Sequence, residues 1–144
     1  MKASAKAIYA CRAILELAAA HPAQEPVHLE TVAKRQEIPL KYLSQIITQL
    51  RQAGLVVSRR GSKGGHALGK PPAEITLGDV LRAVEGPLVR DDRAAGVGGR
   101  RAASAGSDGV SGALGQFKEA VDQAADRITF DGIVKASNRA VYYI

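Results

Sequence analysis

The sequence predicts a mostly α-helical fold carrying one small β-hairpin, and three observations lead there. Between Ile38 and Gly54, Leu43, Ile46, Ile47 and Leu50 recur on one helical face. Lys41, Ser44, Gln45 and Thr48 recur on the opposite face, with no carboxylate among them. Directly behind this helix, Leu55-Val56-Val57-Ser58 and His66-Ala67-Leu68 flank a glycine-rich basic tip from Arg59 to Gly65, the pattern of a hairpin. Further on, Leu114, Phe117, Val121, Ala124 and Ile128 alternate steps of three and four, the apolar seam of a coiled coil. The composition agrees: 46% of residues are hydrophobic but only 4% aromatic, so the core is aliphatic and alanine-rich, which favours helices.

The elements follow in order. Ser4 is placed to cap a helix running to about Ala20, with Ile8, Cys11, Leu15 and Ala18 expected on its inward face. His21-Pro22 ends it, because a residue before proline is driven out of the helical region. Residues 23–28 form a linker around Pro26, in which Val27 suits a brief strand pairing. A short helix then turns Leu29, Val32 and Ala33 inward and Lys34 and Arg35 outward. Ile38-Pro39 is the turn into the two-faced helix, and Gly54 sits where a glycine closes one. Two helices joined by so short a turn, with a hairpin behind them, make a winged helix-turn-helix whose second helix reads DNA.

Thr76-Leu77-Gly78-Asp79 resembles a capping box with Asp in place of Glu or Gln. The helix it opens packs Val80, Leu81 and Val84 and stops at Gly86-Pro87. From Arg90 to Gly112 the chain turns to Gly, Ala, Ser, Asp and Arg, a flexible loop by expectation. The seam from Leu114 to Ile128 reads as a dimerisation helix. The tail from Phe130 is expected to hold a short helix around Ile133 and Val134, with Tyr142 and Tyr143 closing the core. Residues 1–87 are thus the DNA-binding domain, 88–112 a loop, and 113–144 the dimerisation helix and tail.

Charge points to the partner. Between Lys34 and Lys70, eight basic residues stand against one acid, Glu37, so this stretch is more positive than the whole chain, whose net charge is +6. Cations confined to one region are the footprint of a nucleic-acid partner. A membrane surface is the lesser reading, because no free apolar helix face adjoins the patch. No apolar run approaches the ~20 residues of a membrane span, and Arg12 and Glu16 interrupt the first apolar stretch, which argues against a signal peptide. The single cysteine, Cys11, fits a reducing cytoplasm, and on an apolar face it is expected to be inert. His21, His28 and His66 are scattered, and Asp91-Asp92 reads as solvated charge. No nucleophile elbow or phosphate loop is present, so neither catalysis nor a metal or other cofactor is expected.

The chain resembles the bacterial winged-helix regulators of the Rrf-two family, typified by the iron–sulfur cluster regulator, the nitric-oxide-sensing repressor and the cysteine-metabolism repressor. The resemblance rests on Ser4-Ala5-Lys6-Ala7-Ile8-Tyr9-Ala10, Tyr42-Leu43-Ser44-Gln45-Ile46-Ile47 and Leu50-Arg51-Gln52-Ala53-Gly54-Leu55-Val56. Arg60-Gly61-Ser62-Lys63-Gly64-Gly65-His66-Ala67-Leu68, Pro71 to Val80 and Ala83-Val84-Glu85-Gly86-Pro87 extend it through residue 87, with a weaker echo at Ile128 to Val134. It implies a dimeric transcription regulator, usually a repressor, with base-contacting positions at Lys41, Ser44 and Gln45 and a minor-groove arginine at Arg60. Members that sense iron, oxygen or nitric oxide hold a cluster with three cysteines before the dimerisation helix. Here the stretch from Asp91 to Gly112 contains no cysteine, and Gly112 and Gly115 stand where His and Trp are often found. His66 replaces the wing's usual aromatic with a titratable ring.

The expectation is therefore a cluster-free regulator binding double-stranded DNA as a homodimer on a near-palindromic operator. Lys41, Tyr42, Ser44, Gln45, Thr48 and Arg51 on the reading helix, with Arg59, Arg60, Ser62 and Lys63 at the wing, are its DNA-binding residues. Leu114, Phe117, Val121, Ala124 and Ile128 are its dimerisation residues. A regulatory protein or small-molecule effector is the expected switch. The alternative is a protein-interaction module that docks a partner through the winged helix and the coiled-coil face.

Overall fold

Among the described residues, six α-helices and one hairpin build the fold: α1 (Ala5–Ala20), α2 (Leu29–Gln36), α3 (Leu40–Gln52), β1 (Val56–Arg59), β2 (Gly65–Leu68), α4 (Leu77–Glu85), α5 (Gly109–Asp126) and α6 (Phe130–Tyr142). The computed structural model describes residues 3–90 and 109–142, with side chains as far as Arg139. The expectations for 91–108, including Asp91-Asp92, and for the side chains of Tyr142 and Tyr143 lie outside the described residues.

Ser4 caps α1 by accepting the Ala7 N–H at 3.1 Å. The helix buries Ala7, Ala10, Ala13, Ile14, Leu17 and Ala18. Of the row expected to face inward, only Ala18 does so. Ile8 is 42% exposed, and Cys11 and Leu15 are half-buried in an apolar groove that Leu81, Phe130 and Ile133 also line. The reason is that α1 is apolar around most of its circumference, so periodicity does not select an arc. Close packing selects the alanine stripe, because small side chains let neighbouring backbones approach.

His21–Ala23 forms a 3-10 turn after α1. Val27 then pairs antiparallel with His66 through two backbone hydrogen bonds of 2.8 Å, which ties the linker to the hairpin. α2 buries Val32 and Ala33 and leaves Lys34 and Arg35 exposed. Glu37 takes a left-handed conformation (φ 53°), the Ile38 side chain turns inward, and Pro39 caps α3. At the other end of α3 the Leu55 N–H reaches back to the Leu50 carbonyl at 3.0 Å, with Gly54 at φ 76° making the reversal. β1 and β2 pair antiparallel, from Val56 opposite Leu68 to Arg59 opposite Gly65.

The capping box at Thr76 is complete with Asp in the third position. The Thr76 hydroxyl accepts the Asp79 N–H at 3.1 Å, and the Asp79 carboxylate accepts the Thr76 N–H at 3.0 Å. The start of α4 is stitched to the α5–α6 junction: Leu77 donates to the Ile128 carbonyl at 2.8 Å and Phe130 to the Ile75 carbonyl at 2.9 Å. Arg82 on α4 pairs with Asp126 and, at 3.2 Å, with Asp122, both on α5.

Two boundaries differ from expectation. Residues 109–112, assigned to the loop, form the first turn of α5. Ile128, the last seam position, lies beyond the helix end, because its carbonyl is engaged by Leu77. The tail forms a full helix, α6, that carries Phe130 into the core.

Phe130 is 1% exposed and among the largest fully buried side chains, where α6 meets the rest of the fold. Phe130→Ala is expected to cost about 3–5 kcal/mol. Urea unfolding followed by circular dichroism should show the midpoint falling accordingly.

Candidate nucleic-acid interface

The buried stripe of α3, Leu43, Ile46, Ile47 and Leu50, packs into the core cluster. Burying that stripe leaves the opposite face free. Lys41, Ser44, Gln45 and Thr48 are exposed and line one shallow concavity, which Leu40 shares. Thr48 also donates its hydroxyl to the Ser44 carbonyl at 3.0 Å. Tyr42 is turned aside. It is half-buried and packs edge-on against Tyr9, with ring centroids 5.8 Å apart and planes at 82°. Arg51 is exposed on the last turn, toward the wing.

At the hairpin, Arg59, Arg60, Ser62 and Lys63 are all exposed. Gly64 closes the tip by donating to the Gly61 carbonyl at 2.9 Å. A Cβ at position 64 would meet that carbonyl oxygen at 2.8 Å and the Arg59 carbonyl oxygen closer still, so the tight tip requires glycine. Ion pairs among the described residues join Arg35 to Glu16, Arg82 to Asp79, Asp122 and Asp126, and Lys135 to Asp131. None of them engages Lys41, Arg51, Arg59, Arg60 or Lys63. The cations of α3 and the wing tip therefore keep their charge available to an external anion.

His66 anchors the wing from behind. Its backbone bridges to Val27, and its Nδ1 is buried without a hydrogen-bond partner among the described residues. Burial lowers its pKa from the ordinary 6.5, the Arg51 cation lowers it further, and Glu30 acts in the opposite direction. Two residues carry more than the sequence pattern suggested. His66 is an anchor as well as a ring, and Leu40 stands 44% exposed beside Lys41, Ser44, Gln45 and Thr48. The sequence signal for Leu40 was only its place as the first helical residue after Pro39.

The chain's one cysteine is half-buried on α1, and burial pushes its thiol up to about 11. Among the described residues, no group of three or more His, Cys, Asp or Glu converges in a way that suits a metal ion. Clusters of iron and sulfide are held by several thiolates, so the side chains present do not fit one. No described helix is long and apolar enough to cross a membrane.

Residues 3–136 match the Rrf2 family, described as Iron-dependent Transcriptional regulator. The chain belongs to the Rrf2 (Rrf-two) family. It is similar to the HTH-type transcriptional regulator CymR of Bacillus subtilis, 42% identical over 88 residues, which span 61% of this chain and 63% of that protein. It is also similar to the HTH-type transcriptional regulator IscR of Aliivibrio salmonicida, 46% identical over 85 residues, spanning 59% of this chain and 50% of that one. These matches cover less than two thirds of either relative's length. Among solved structures, IscR of T. potens superposes with a TM-score of 0.75 at 31% identity, covering 97% of this chain and 90% of that one. CymR of B. subtilis gives 0.73 at 29% identity, covering 94% and 98%. The fold is accordingly the winged helix of this family, and the family's iron-dependent description meets a member with a single cysteine.

The pH dependence of stability follows from His66. Its folded-state pKa lies below the unfolded value of 6.5, so the unfolded chain takes up the proton more readily. Its contribution is fully present above pH 6.5 and is lost as the pH falls through the lower, folded-state value. Thermal midpoints measured from about pH 7 to about pH 5 should decline, and His66→Gln should flatten the decline.

Proposed function

We propose that this chain is a sequence-specific, DNA-binding transcription regulator that acts as a homodimeric repressor on a near-palindromic operator. The observation that carries this reading is a pair of exposed features: a concavity on α3 free of carboxylates, and a wing tip whose cations are unpaired among the described residues. In this mechanism α3 enters the major groove. Lys41 suits guanine O6 and N7, Gln45 suits adenine N6 and N7, and Ser44 serves either. Arg60 enters the minor groove while Arg59, Lys63 and Arg51 engage phosphates. Tyr42 supports α3 through Tyr9.

A second copy is the natural cover for α5. Leu114 and Phe117 are each 55% exposed. Val121 is half-buried, Ala124 is exposed, and Ile128 remains 45% exposed. Two copies joined there would present two reading helices to a two-fold site. The family and its named transcriptional-regulator relatives support regulation over catalysis. With one cysteine, switching falls to a regulatory protein or a small-molecule effector, in the cytoplasm.

Binding to duplexes selected from a random library should weaken with salt at a log–log slope of about −0.9 per phosphate contact. Arg60→Ala should cost about 1–3 kcal/mol of binding. A salt-insensitive complex, or unchanged binding by this variant, would contradict the mechanism. A captured protein partner without any DNA footprint would favour the docking alternative.

Phe117→Glu places a charge on the exposed seam. Analytical ultracentrifugation should show monomers with unchanged circular dichroism. Affinity for the selected two-fold duplex should drop about a hundredfold through lost bivalency.

A further inference from the structure

We propose that Leu40 is a specificity-determining residue that seats the C5-methyl group of a thymine in the major groove, an assignment that rests on the DNA-reading function above. Leu40 is the first residue of α3 and is 44% exposed. It does not belong to the buried core or to the half-buried side chains packed against it. It borders the same concavity as Lys41, Ser44, Gln45 and Thr48, and is the one apolar side chain there. The N-terminal residues of a reading helix are those that approach base edges.

Chemistry narrows what it meets. Leucine neither donates nor accepts a hydrogen bond, so phosphates and the polar edges of guanine, adenine and cytosine gain nothing from it. Pressed against such an edge, it would strip water without replacing the lost hydrogen bonds. The major groove offers one apolar group, the thymine methyl. Other exposed apolar side chains have other places in the fold. Val110, Leu114 and Phe117 lie on α5, Ile128 follows it, Ile8 lies in the groove beside α4 and α6, and Val57 is on β1. Leu40 alone stands among polar readers. The reading face therefore combines hydrogen-bonding side chains suited to purines with one methyl contact.

The test uses the full chain and its Leu40→Ala variant, each selecting duplexes from a random library. The wild type is expected to enrich a thymine that the variant no longer enriches, while both keep the same purine positions. Replacing that thymine by uracil removes only the methyl group. It should weaken the wild type about fourfold, the worth of one buried methyl, and leave Leu40→Ala unchanged. Leu40→Gln, which preserves length and helix propensity, should likewise show no uracil penalty, so a fold defect in the alanine variant does not decide the result. Thymine enrichment retained by both variants, or an equal uracil penalty in all three proteins, overturns the assignment. A wild type that enriches no sequence overturns the DNA-reading function itself, and this assignment with it.

Discussion

Burial of one face of α3 is the constraint on which the rest of the molecule depends. Leu43, Ile46 and Leu50 are completely inaccessible, and Ile47 nearly so. Each such side chain contributes about 1.5–3 kcal/mol, whereas an exposed ion pair gives about 0–1 kcal/mol. The orientation of the polar face is therefore set by the core, and Lys41, Ser44, Gln45 and Thr48 lie exposed on it. The alanine stripe of α1 permits this arrangement, because a bulkier stripe would hold α3 farther out.

A second set of contacts carries that orientation onward to α5. Thr76 caps α4, Leu77 and Phe130 tie its start to the α5–α6 junction, and Arg82 reaches across to Asp122 and Asp126. The carboxylates, Asp126 foremost, favour the charged guanidinium, and burial opposes them only in part. α4 packs against both α1 and α3. The polar face of α3 and the exposed apolar seam of α5 are thus held in one frame.

Much of the site was legible from residue spacing. Lys41, Ser44, Gln45 and Thr48 had to share a face once Leu43, Ile46, Ile47 and Leu50 shared the other, because the helical period allows nothing else. The wing was legible because three glycines and three cations sit between two short β-type runs. Tyr42 was not separable from its neighbours, since its place depends on Tyr9, which is distant in sequence. The inward face of α1 differs from its periodicity for the same kind of reason: a helix that is apolar nearly all round takes its orientation from its neighbours.

By itself, the sequence determined the order of helices, the hairpin, the confinement of positive charge and the lack of thiols for a cluster. These follow from local period, turn chemistry and composition, which need no knowledge of distant contacts. Only the tertiary structure decided which arc of α1 is buried, and that the buried Nδ1 of His66 has no partner among the described residues. It also decided that Leu40 stands in the open beside Lys41, Ser44, Gln45 and Thr48. Each of those outcomes depends on residues far apart in the chain meeting in space, and close packing, not periodicity, chooses among the alternatives.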